Sequence, residues 1–444
     1  MSKKYFIHTF GCQMNVHDSE KIAGMFSASG YNVAEGAKDA DVIVLNTCSI
    51  RQKAEQKFYS ELGRMKLLKR INPMLKIAVA GCIAQQKGYP LIRKFPYVDF
   101  IFGPANMDSL RNWIDDGTPR KVSPRGGRSI EHGTLTTALK HNPAYETEEF
   151  PIKREGRVRA WVSIMYGCNN FCSYCIVPYT RGREISRPSS GILSEIKDLC
   201  DRGYKEVTLL GQNVNSYRSD IDFTELLRRI DSTGINRVRF VTSHPRDLSL
   251  ELINAIADLP GVCEHVHLPV QSASDRILDL MNRRYSYKDY IEKINMLREK
   301  VPDIAITADV IVGFPGEKEE DHLLTINAIK EIGFDGLFAF KFSPRQGTKA
   351  YEMDDDVPEE VKSERLNNLL RMQDEITLTK NLTLEGTVHE ILIEGHSGKD
   401  LNMLTGRTRT NKIVTIPDAN EPEGTLVNVK IRKARQHSLE AVKV

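Results

Sequence analysis

Three cysteines stand close together in Cys168-Asn169-Asn170-Phe171-Cys172-Ser173-Tyr174-Cys175, with three and then two residues between them. No fourth cysteine follows at ligand distance. A structural zinc site is usually closed by four ligands, and a simple ferredoxin-type cluster also takes four thiolates. Three thiolates leave one iron of a 4Fe–4S cluster without a protein ligand, and an iron with an open position is available to substrate or cofactor. A second set of three is dispersed. Gly11-Cys12, Thr47-Cys48 and Gly81-Cys82 each follow an apolar, strand-like run and precede a helical pattern. In an open parallel sheet the carboxyl ends of the strands line one edge, where ligands bind, so these three thiols should converge although more than thirty residues separate each from the next. The helix N-termini that follow would favour the thiolate. One buried cysteine is ordinarily a small apolar residue; three in the same topological slot argue for ligation and again leave an iron open. Cys200 and Cys263 have no such setting and read as packing residues.

The elements that must hold these cysteines follow from the apolar pattern. Over residues 1–118, strands at Tyr5–Phe10, Val42–Leu45, Ile77–Ala80 and Val98–Phe102 alternate with helices at Asp18–Ser29, Ile50–Ile71, Ala84–Lys94 and from Asn106 to near Gly117, which predicts an α/β domain with an open, doubly wound parallel sheet. Residues 119–150 lose this periodicity and read as a linker with short ordered pieces. Residues 151–382 carry six strand–helix units, with strands at Val158–Ile164, Glu206–Leu210, Arg237–Thr242, His265–Pro269, Ala305–Val312 and Gly336–Phe342. Six such units predict a partial barrel whose first strand runs into the Cys168 loop, on the face where barrel enzymes build their sites. The loops Gly211-Gln212-Asn213, Ser243-His244-Pro245, Gln271-Ser272-Ala273-Ser274 and Gly313-Phe314-Pro315-Gly316-Glu317 follow later strands. Each alone reads as a turn; together they put hydrogen-bonding groups and closely approachable backbone on the same face. After a long helix over 357–382, residues 383–444 break into short β-segments punctuated by Gly395, Gly398, Gly406 and Gly424, which predicts a small antiparallel β-barrel.

The composition bounds the setting. The chain has 444 residues, 40% hydrophobic and 27% charged, as expected for a folded protein of two or three domains. It has no apolar run long enough to span a membrane, and Met1-Ser2-Lys3-Lys4-Tyr5-Phe6-Ile7-His8 lacks a signal-peptide pattern, so a cytoplasmic protein with reduced cysteines is expected. A net charge of +3 implies no nucleic-acid partner by itself. The last domain is locally basic, with Arg407, Arg409 and Lys412, then Lys430, Arg432, Lys433 and Arg435. Spacing by two puts Arg407 with Arg409, and Lys430 with Arg432, on one strand face. A solvated surface and a phosphate-binding face both fit; the lack of aromatic residues beside them favours backbone contact over base reading.

Cys168–Cys175 resembles the CxxxCxxC loop of radical S-adenosylmethionine (SAM) enzymes. With Phe10-Gly11-Cys12-Gln13-Met14-Asn15, Asn46-Thr47-Cys48-Ser49-Ile50-Arg51 and Gly81-Cys82-Ile83-Ala84-Gln85, the whole chain outside the linker is similar to the methylthiotransferase family, and residues 383–444 resemble a TRAM domain, an RNA-binding module. Ile176-Val177-Pro178-Tyr179-Thr180-Arg181-Gly182-Arg183-Glu184 and Leu210-Gly211-Gln212-Asn213-Val214-Asn215-Ser216-Tyr217 resemble the branch that modifies N6-dimethylallyladenosine in tRNA. The family usually has Gly where this chain has Ala273, a small change unless that position needs positive φ.

The resemblance implies two 4Fe–4S clusters, one on Cys168, Cys172 and Cys175 for radical chemistry and an auxiliary one on Cys12, Cys48 and Cys82. It implies SAM contacts from Gln212, Asn213, Ser243, His244, Gln271, Ser272, Gly313, Gly316 and Glu317. One SAM would be the radical source and a second the methyl donor. The substrate implied is the adenosine on the 3′ side of the anticodon, in the tRNA anticodon stem-loop, with the base splayed out of its stack. Arg181, Arg183 and Arg187, with Arg407, Arg409, Lys412, Lys430 and Arg432, would contact RNA, and the protein would work as a monomer. Two alternatives stay open from the residues alone: a methylthiotransferase for another tRNA adenosine or a ribosomal-protein aspartate, and a non-catalytic RNA-binding iron–sulfur protein.

Overall fold

In the computed structural model, which describes residues 2–48, 52–116, 136–138, 150–398, 400–417 and 420–444, the chain divides into two compact units. The first holds residues 1–155, 165–169 and 176–187, and the second holds residues 156–164, 170–175 and 188–444.

The first unit is built on six parallel strands, β1 (Lys4–Phe10), β2 (Asn32–Val33), β3 (Val42–Thr47), β4 (Lys76–Gly81), β5 (Phe100–Phe102) and β6 (Thr136–Ala138), in the order β2-β1-β3-β4-β5-β6. Helices α1 (Gln13–Ala28), α2 (Gln52–Ile71), α3 (Cys82–Lys94) and α4 (Met107–Asp116) connect them. Ile43, Leu45, Ile77 and Val79 of the central strands pack with Phe58 and Leu62 of α2 and Ile83 of α3, all almost fully buried. The strands β2 and β6 at the two edges of this sheet are too short to show a period. β6 falls in the stretch expected to be a linker; residues 119–135 and 139–149 of that stretch lie outside the described residues. α1 begins at Gln13, five residues before its apolar face starts to show, because Asn15, His17, Asp18, Glu20 and Lys21 are buried polar residues. Asn15 accepts from the Cys12 thiol, and His17 pairs with Glu20. The short strands β8 (Met165–Tyr166) and β9 (Ile185–Ser186) and the one-turn helix α5 (Val177–Thr180) also belong to this unit.

The second unit opens with the partial barrel. β7 (Arg159–Ser163), β10 (Glu206–Leu210) and β11 (Arg237–Phe240) form one parallel sheet, and β12 (His265–His267), β13 (Ala305–Val312) and β14 (Gly336–Lys341) another. A parallel bridge between Val238 and Val262 links the two. Helices α6 (Ser189–Asp201), α7 (Phe223–Asp231), α8 (Leu250–Asp258), α9 (Asp275–Leu280), α10 (Tyr287–Lys300) and α11 (Glu319–Ile332) are the crossovers, and α12 (Glu359–Leu382) packs on β14.

The chain ends in a closed five-stranded barrel, ordered β15 (Val388–His396), β16 (Met403–Thr408), β17 (Ile413–Pro417), β19 (Leu439–Lys443), β18 (Leu426–Ala434). The expectation of an all-antiparallel barrel is corrected at one seam, since β17 and β19 pair in parallel. An odd number of strands cannot close with every neighbour antiparallel.

The turn after β16 lies against the amino-terminal ends of the partial-barrel strands. Arg237 donates to Arg407 O at 2.8 Å and Arg239 donates to Arg409 O at 2.7 Å and Thr408 O at 2.8 Å. Arg239 also pairs with Glu206 at 2.9 Å, and both arginines are buried. The floor of the partial barrel is therefore a charged layer completed by the small barrel.

Candidate active site

Cys12, Cys48 and Cys82 stand at the carboxyl ends of β1, β3 and β4, one strand apart in the sheet. Two glycines let these ends approach. Gly11 has φ +153° and a Cβ there would lie 2.6 Å from Cys48 Cβ; Gly81 has φ +90° and a Cβ there would lie 2.4 Å from Thr47 O. Asn15, in the first turn of α1, accepts from the Cys12 thiol at 3.4 Å and donates to Thr47 O at 3.2 Å and Asn46 Oδ1 at 3.3 Å, tying two of the three corners together. A hydrogen bond with Cys48 lowers the Cys12 thiol to about 6 against the effect of burial, with the Arg181 guanidinium helping; burial pushes the Cys82 thiol up although Arg181 opposes it. Among the described residues no three His, Cys, Asp or Glu side chains are arranged to hold a single metal ion. A 4Fe–4S cluster makes a different demand, since each thiolate binds its own iron, and three cysteines from three neighbouring strand ends fit it.

In the second triad, Cys168 and Cys172 are buried and Cys175 half-buried. The loop is gripped by the segment after α9. Ser173 N donates to Met281 O at 3.0 Å, Ser173 Oγ to Leu280 O at 2.8 Å, and Asn282 Nδ2 to Phe171 O at 2.9 Å. Phe171, Asn282 and Arg284 have positive φ, backbone held where side chains are disfavoured. Sequence reasoning missed Arg283. It is buried, and its Nη1 donates to Cys172 Sγ and to Tyr174 Oη, both at 3.3 Å, while Nη2 donates to Pro269 O at 3.2 Å. Nothing in Met281-Asn282-Arg283-Arg284 separates it from a surface arginine until the loop is folded.

The loops expected to meet SAM divide into two groups. Gln212 Oε1, Asn213 Oδ1, Ser243 Oγ, His244 Nε2 and Gln271 Oε1 are buried atoms with no hydrogen-bond partner among the described residues. Buried polar groups are nearly always paired, so five orphans on successive strand-end loops fit a polar ligand. His244 Nδ1 accepts from Arg246 N at 3.2 Å, which leaves the proton on Nε2, and burial lowers its pKa to about 2, so it is a neutral donor. Thr242 and Gln271 hold φ of +64° and +67° beside these groups. The remaining residues have partners inside the protein. Ser272 Oγ meets Thr325 Oγ1 at 3.3 Å. Glu317 accepts from Gly313 N at 2.5 Å and Arg365 at 2.8 Å. Gly316 N donates to Asp356 at 2.7 Å, and a Cβ at Gly313 would lie 2.3 Å from Lys362 Cγ. Ala273 is not among the positive-φ residues, so its methyl group costs no backbone strain.

Several residues expected on RNA are engaged inside the protein. Arg181 is buried and donates to Asp18 at 2.7 Å. Arg407 pairs with Glu394 at 3.2 Å, Arg409 binds Glu264 through two nitrogens at 2.7–3.0 Å, and Lys412 reaches Asp335 at 3.2 Å and Asn381 at 2.9 Å. The charges of these four are thus already balanced by buried or half-buried carboxylates. Arg183 is exposed and Arg187 half-buried; Lys430 and Arg432 are exposed on alternate positions of β18, with Lys433 beside them.

The architecture agrees with known proteins. Residues 4–103 match the uncharacterized protein family UPF0004, residues 162–329 the radical SAM superfamily and residues 382–444 the TRAM domain. Over 98% of its length the chain is 52% identical to the tRNA-2-methylthio-N(6)-dimethylallyladenosine synthase of Thermodesulfovibrio yellowstonii, covering 97% of that protein. It is 47% identical to the protein of the same name from Carboxydothermus hydrogenoformans, over 100% of this chain and 99% of that one. Among solved structures, the radical S-adenosylmethionine methyltransferase TsrM from Kitasatospora setae, with cobalamin and a [4Fe-4S] cluster bound, superposes with a TM-score of 0.56 at 15% identity, over 77% of this chain and 75% of that one, a likeness of fold. No described helix is long and apolar enough to cross a membrane. Full-length kinship together with three cysteines at three strand ends and three in the CxxxCxxC loop identifies the chain as a member of the tRNA-2-methylthio-N(6)-dimethylallyladenosine synthase family of radical SAM enzymes.

Proposed function

We propose that this enzyme replaces the C2 hydrogen of N6-dimethylallyladenosine with a methylthio group, on the 3′ side of the anticodon of tRNA, using one SAM as radical source and a second as methyl donor. Its cofactors are 4Fe–4S clusters and SAM. When bound, they supply a 5′-deoxyadenosyl radical, which takes the hydrogen, and a sulfur that carries the methyl group. Cys168, Cys172 and Cys175 would hold the radical-forming cluster, and Cys12, Cys48 and Cys82 the auxiliary one. The observation that carries the reading is the set of three strand-end cysteines, which a radical SAM enzyme without sulfur chemistry does not need.

The protein's own groups would bind and orient. The His244 Nε2 proton and the oxygens of Gln212, Asn213, Ser243 and Gln271 would meet the polar groups of SAM, each satisfying an atom otherwise buried without a partner. Ser272, Gly313, Gly316 and Glu317 would shape the loops that present them. Arg283 would hold the Cys172 side of the first cluster. Exposed Lys430, Arg432 and Arg183, with Arg187, are the proposed phosphate contacts to the anticodon stem-loop. Both triads and the RNA module are carried on one chain, which supports action as a monomer; the expected location is the cytoplasm, where tRNA is modified.

The test is anaerobic incubation of the iron-loaded protein with dithionite, SAM and tRNA bearing N6-dimethylallyladenosine, followed by nucleoside mass spectrometry. A methylthio product and 5′-deoxyadenosine are expected. Deoxyadenosine without a methylthio product would count against the substrate. Absence of both would count against the enzyme reading and favour an RNA-binding iron–sulfur protein.

A further inference from the structure

Arg181 is 6% exposed and closes the one-turn helix α5, which begins just after Cys175 and packs against α3, the helix that starts at Cys82. One edge of its guanidinium is fixed by Asp18 at 2.7 Å, and the two side chains are 5% and 2% exposed. Asp18 comes from α1, the helix that follows Cys12. The positive charge of the guanidinium favours the thiolate at both Cys82 and Cys12, at Cys82 against the effect of burial. Cys12, Asp18, Cys48, Cys82 and Arg181 all belong to the first compact unit.

A charge buried this deeply is costly unless paired. Asp18 already neutralises the guanidinium, so a purely structural ion pair would have no need to reach the thiols as well. With protonated thiols the pair is neutral overall. With three thiolates on an iron–sulfur core the site becomes anionic, and one-electron reduction adds a further negative charge in the same small volume. In a medium of low dielectric a fixed cation against that charge has a large effect, and charge and hydrogen bonds to the sulfurs are what set cluster potentials.

We propose that Arg181 is a positioning residue of the N-terminal cluster: held by Asp18 between the helices that start beside Cys12 and at Cys82, its guanidinium offsets the charge the cluster gains on reduction and so sets its reduction potential. The inference rests on the reading that Cys12, Cys48 and Cys82 hold a cluster. Cys175 and Arg181 are six positions apart, so one short segment carries a ligand of one triad and the cation of the other.

The experiment uses the full-length chain with Cys168→Ala, Cys172→Ala and Cys175→Ala, so that one cluster remains. Iron and sulfide counts come first; a protein without iron at this stage overturns the ligand assignment, separately from Arg181. The potential is then measured by titration with dithionite and mediators, followed by electron paramagnetic resonance, in this background and with Arg181→Lys or with Asp18→Asn/Arg181→Met. The double variant removes both charges and leaves no orphaned carboxylate. Its reduction equilibrium should become at least tenfold less favourable, about 59 mV more negative for one electron, while Arg181→Lys stays within about threefold of the background on the same conversion. Loss of iron from the double variant but not from Arg181→Lys also supports the proposal, since lysine keeps the charge. An unchanged potential in the double variant overturns it, as does loss of iron from both.

Discussion

Cys168, Cys172 and Cys175 come from one loop, whereas Cys12, Cys48 and Cys82 come from three strands that meet only in the folded sheet. The loop has little geometry of its own and is gripped from outside, at Ser173 and Phe171, by the end of α9 and the residues after it. The dispersed set is positioned by the sheet register and needs only room, which Gly11 and Gly81 provide. Each triad nevertheless has one buried arginine acting on a thiol, Arg283 through a hydrogen bond to Cys172 and Arg181 through its charge at Cys82. Their supports differ, since Arg181 leans on a carboxylate and Arg283 on phenols and a carbonyl. The arginine is thus the shared feature, and the scaffold that delivers it is not.

The largest expected effect separates the triads by product. Replacing Cys168, Cys172 and Cys175 by Ala should abolish both 5′-deoxyadenosine and methylthiolation, and replacing Cys12, Cys48 and Cys82 should abolish only methylthiolation. Each triple variant should lose one cluster's iron. Equal loss of deoxyadenosine in both would break the division of labour.

The arginines should differ in stability. Arg181→Met leaves Asp18 buried and unpaired and should cost about 3–5 kcal/mol in urea unfolding, most of it recovered in Asp18→Asn/Arg181→Met. Arg283→Met orphans no carboxylate and should cost about 1.5–3 kcal/mol. Equal costs would mean that their supports are equivalent after all.

The basic residues of the small barrel divide as well. Lys430→Glu/Arg432→Glu should weaken tRNA binding and reduce its salt slope by about one unit for each phosphate no longer neutralised. Arg409→Ala should leave the slope unchanged while loosening the barrel floor. A fall in slope with Arg409→Ala would restore it as an RNA-binding residue.

The smallest effect is with pH. Asp335 is buried, which works against its charge, but Lys380 and Lys412 outweigh burial and hold its pKa below the ordinary 3.8. Its contribution is therefore full above that value and is lost as pH falls through the folded-state pKa. Asp335→Asn should be less stable at neutral pH and show a shallower loss in acid, measured by thermal unfolding across that window.

Much of the fold is legible in the sequence because apolar runs of four to eight residues report strands directly, as at Val42–Thr47 and Ala305–Val312. The cysteines are legible for a different reason, since type and spacing suffice. The first turn of α1 is not legible, because a helix whose exposed-looking residues are buried shows no amphipathic period. Arg181 and Arg409 mislead because a charged side chain reads as surface unless its partner is known, and Asp18 and Glu264 lie 163 and 145 positions away. Arg283 is silent for the same reason.

The turn at residues 408–412 ties barrel assembly to the end of protein synthesis. Arg237 is made 170 residues before the carbonyl of Arg407 that it binds. At ordinary translation rates this is a delay of about 10–30 s, during which Arg237 and Arg239 lack the carbonyls that line them in the finished molecule. A chain that stops before Thr408 would leave those guanidiniums open to water. The carbonyls of Arg407, Thr408 and Arg409 thus cover the floor of the partial barrel only after the second strand of the small barrel has been made.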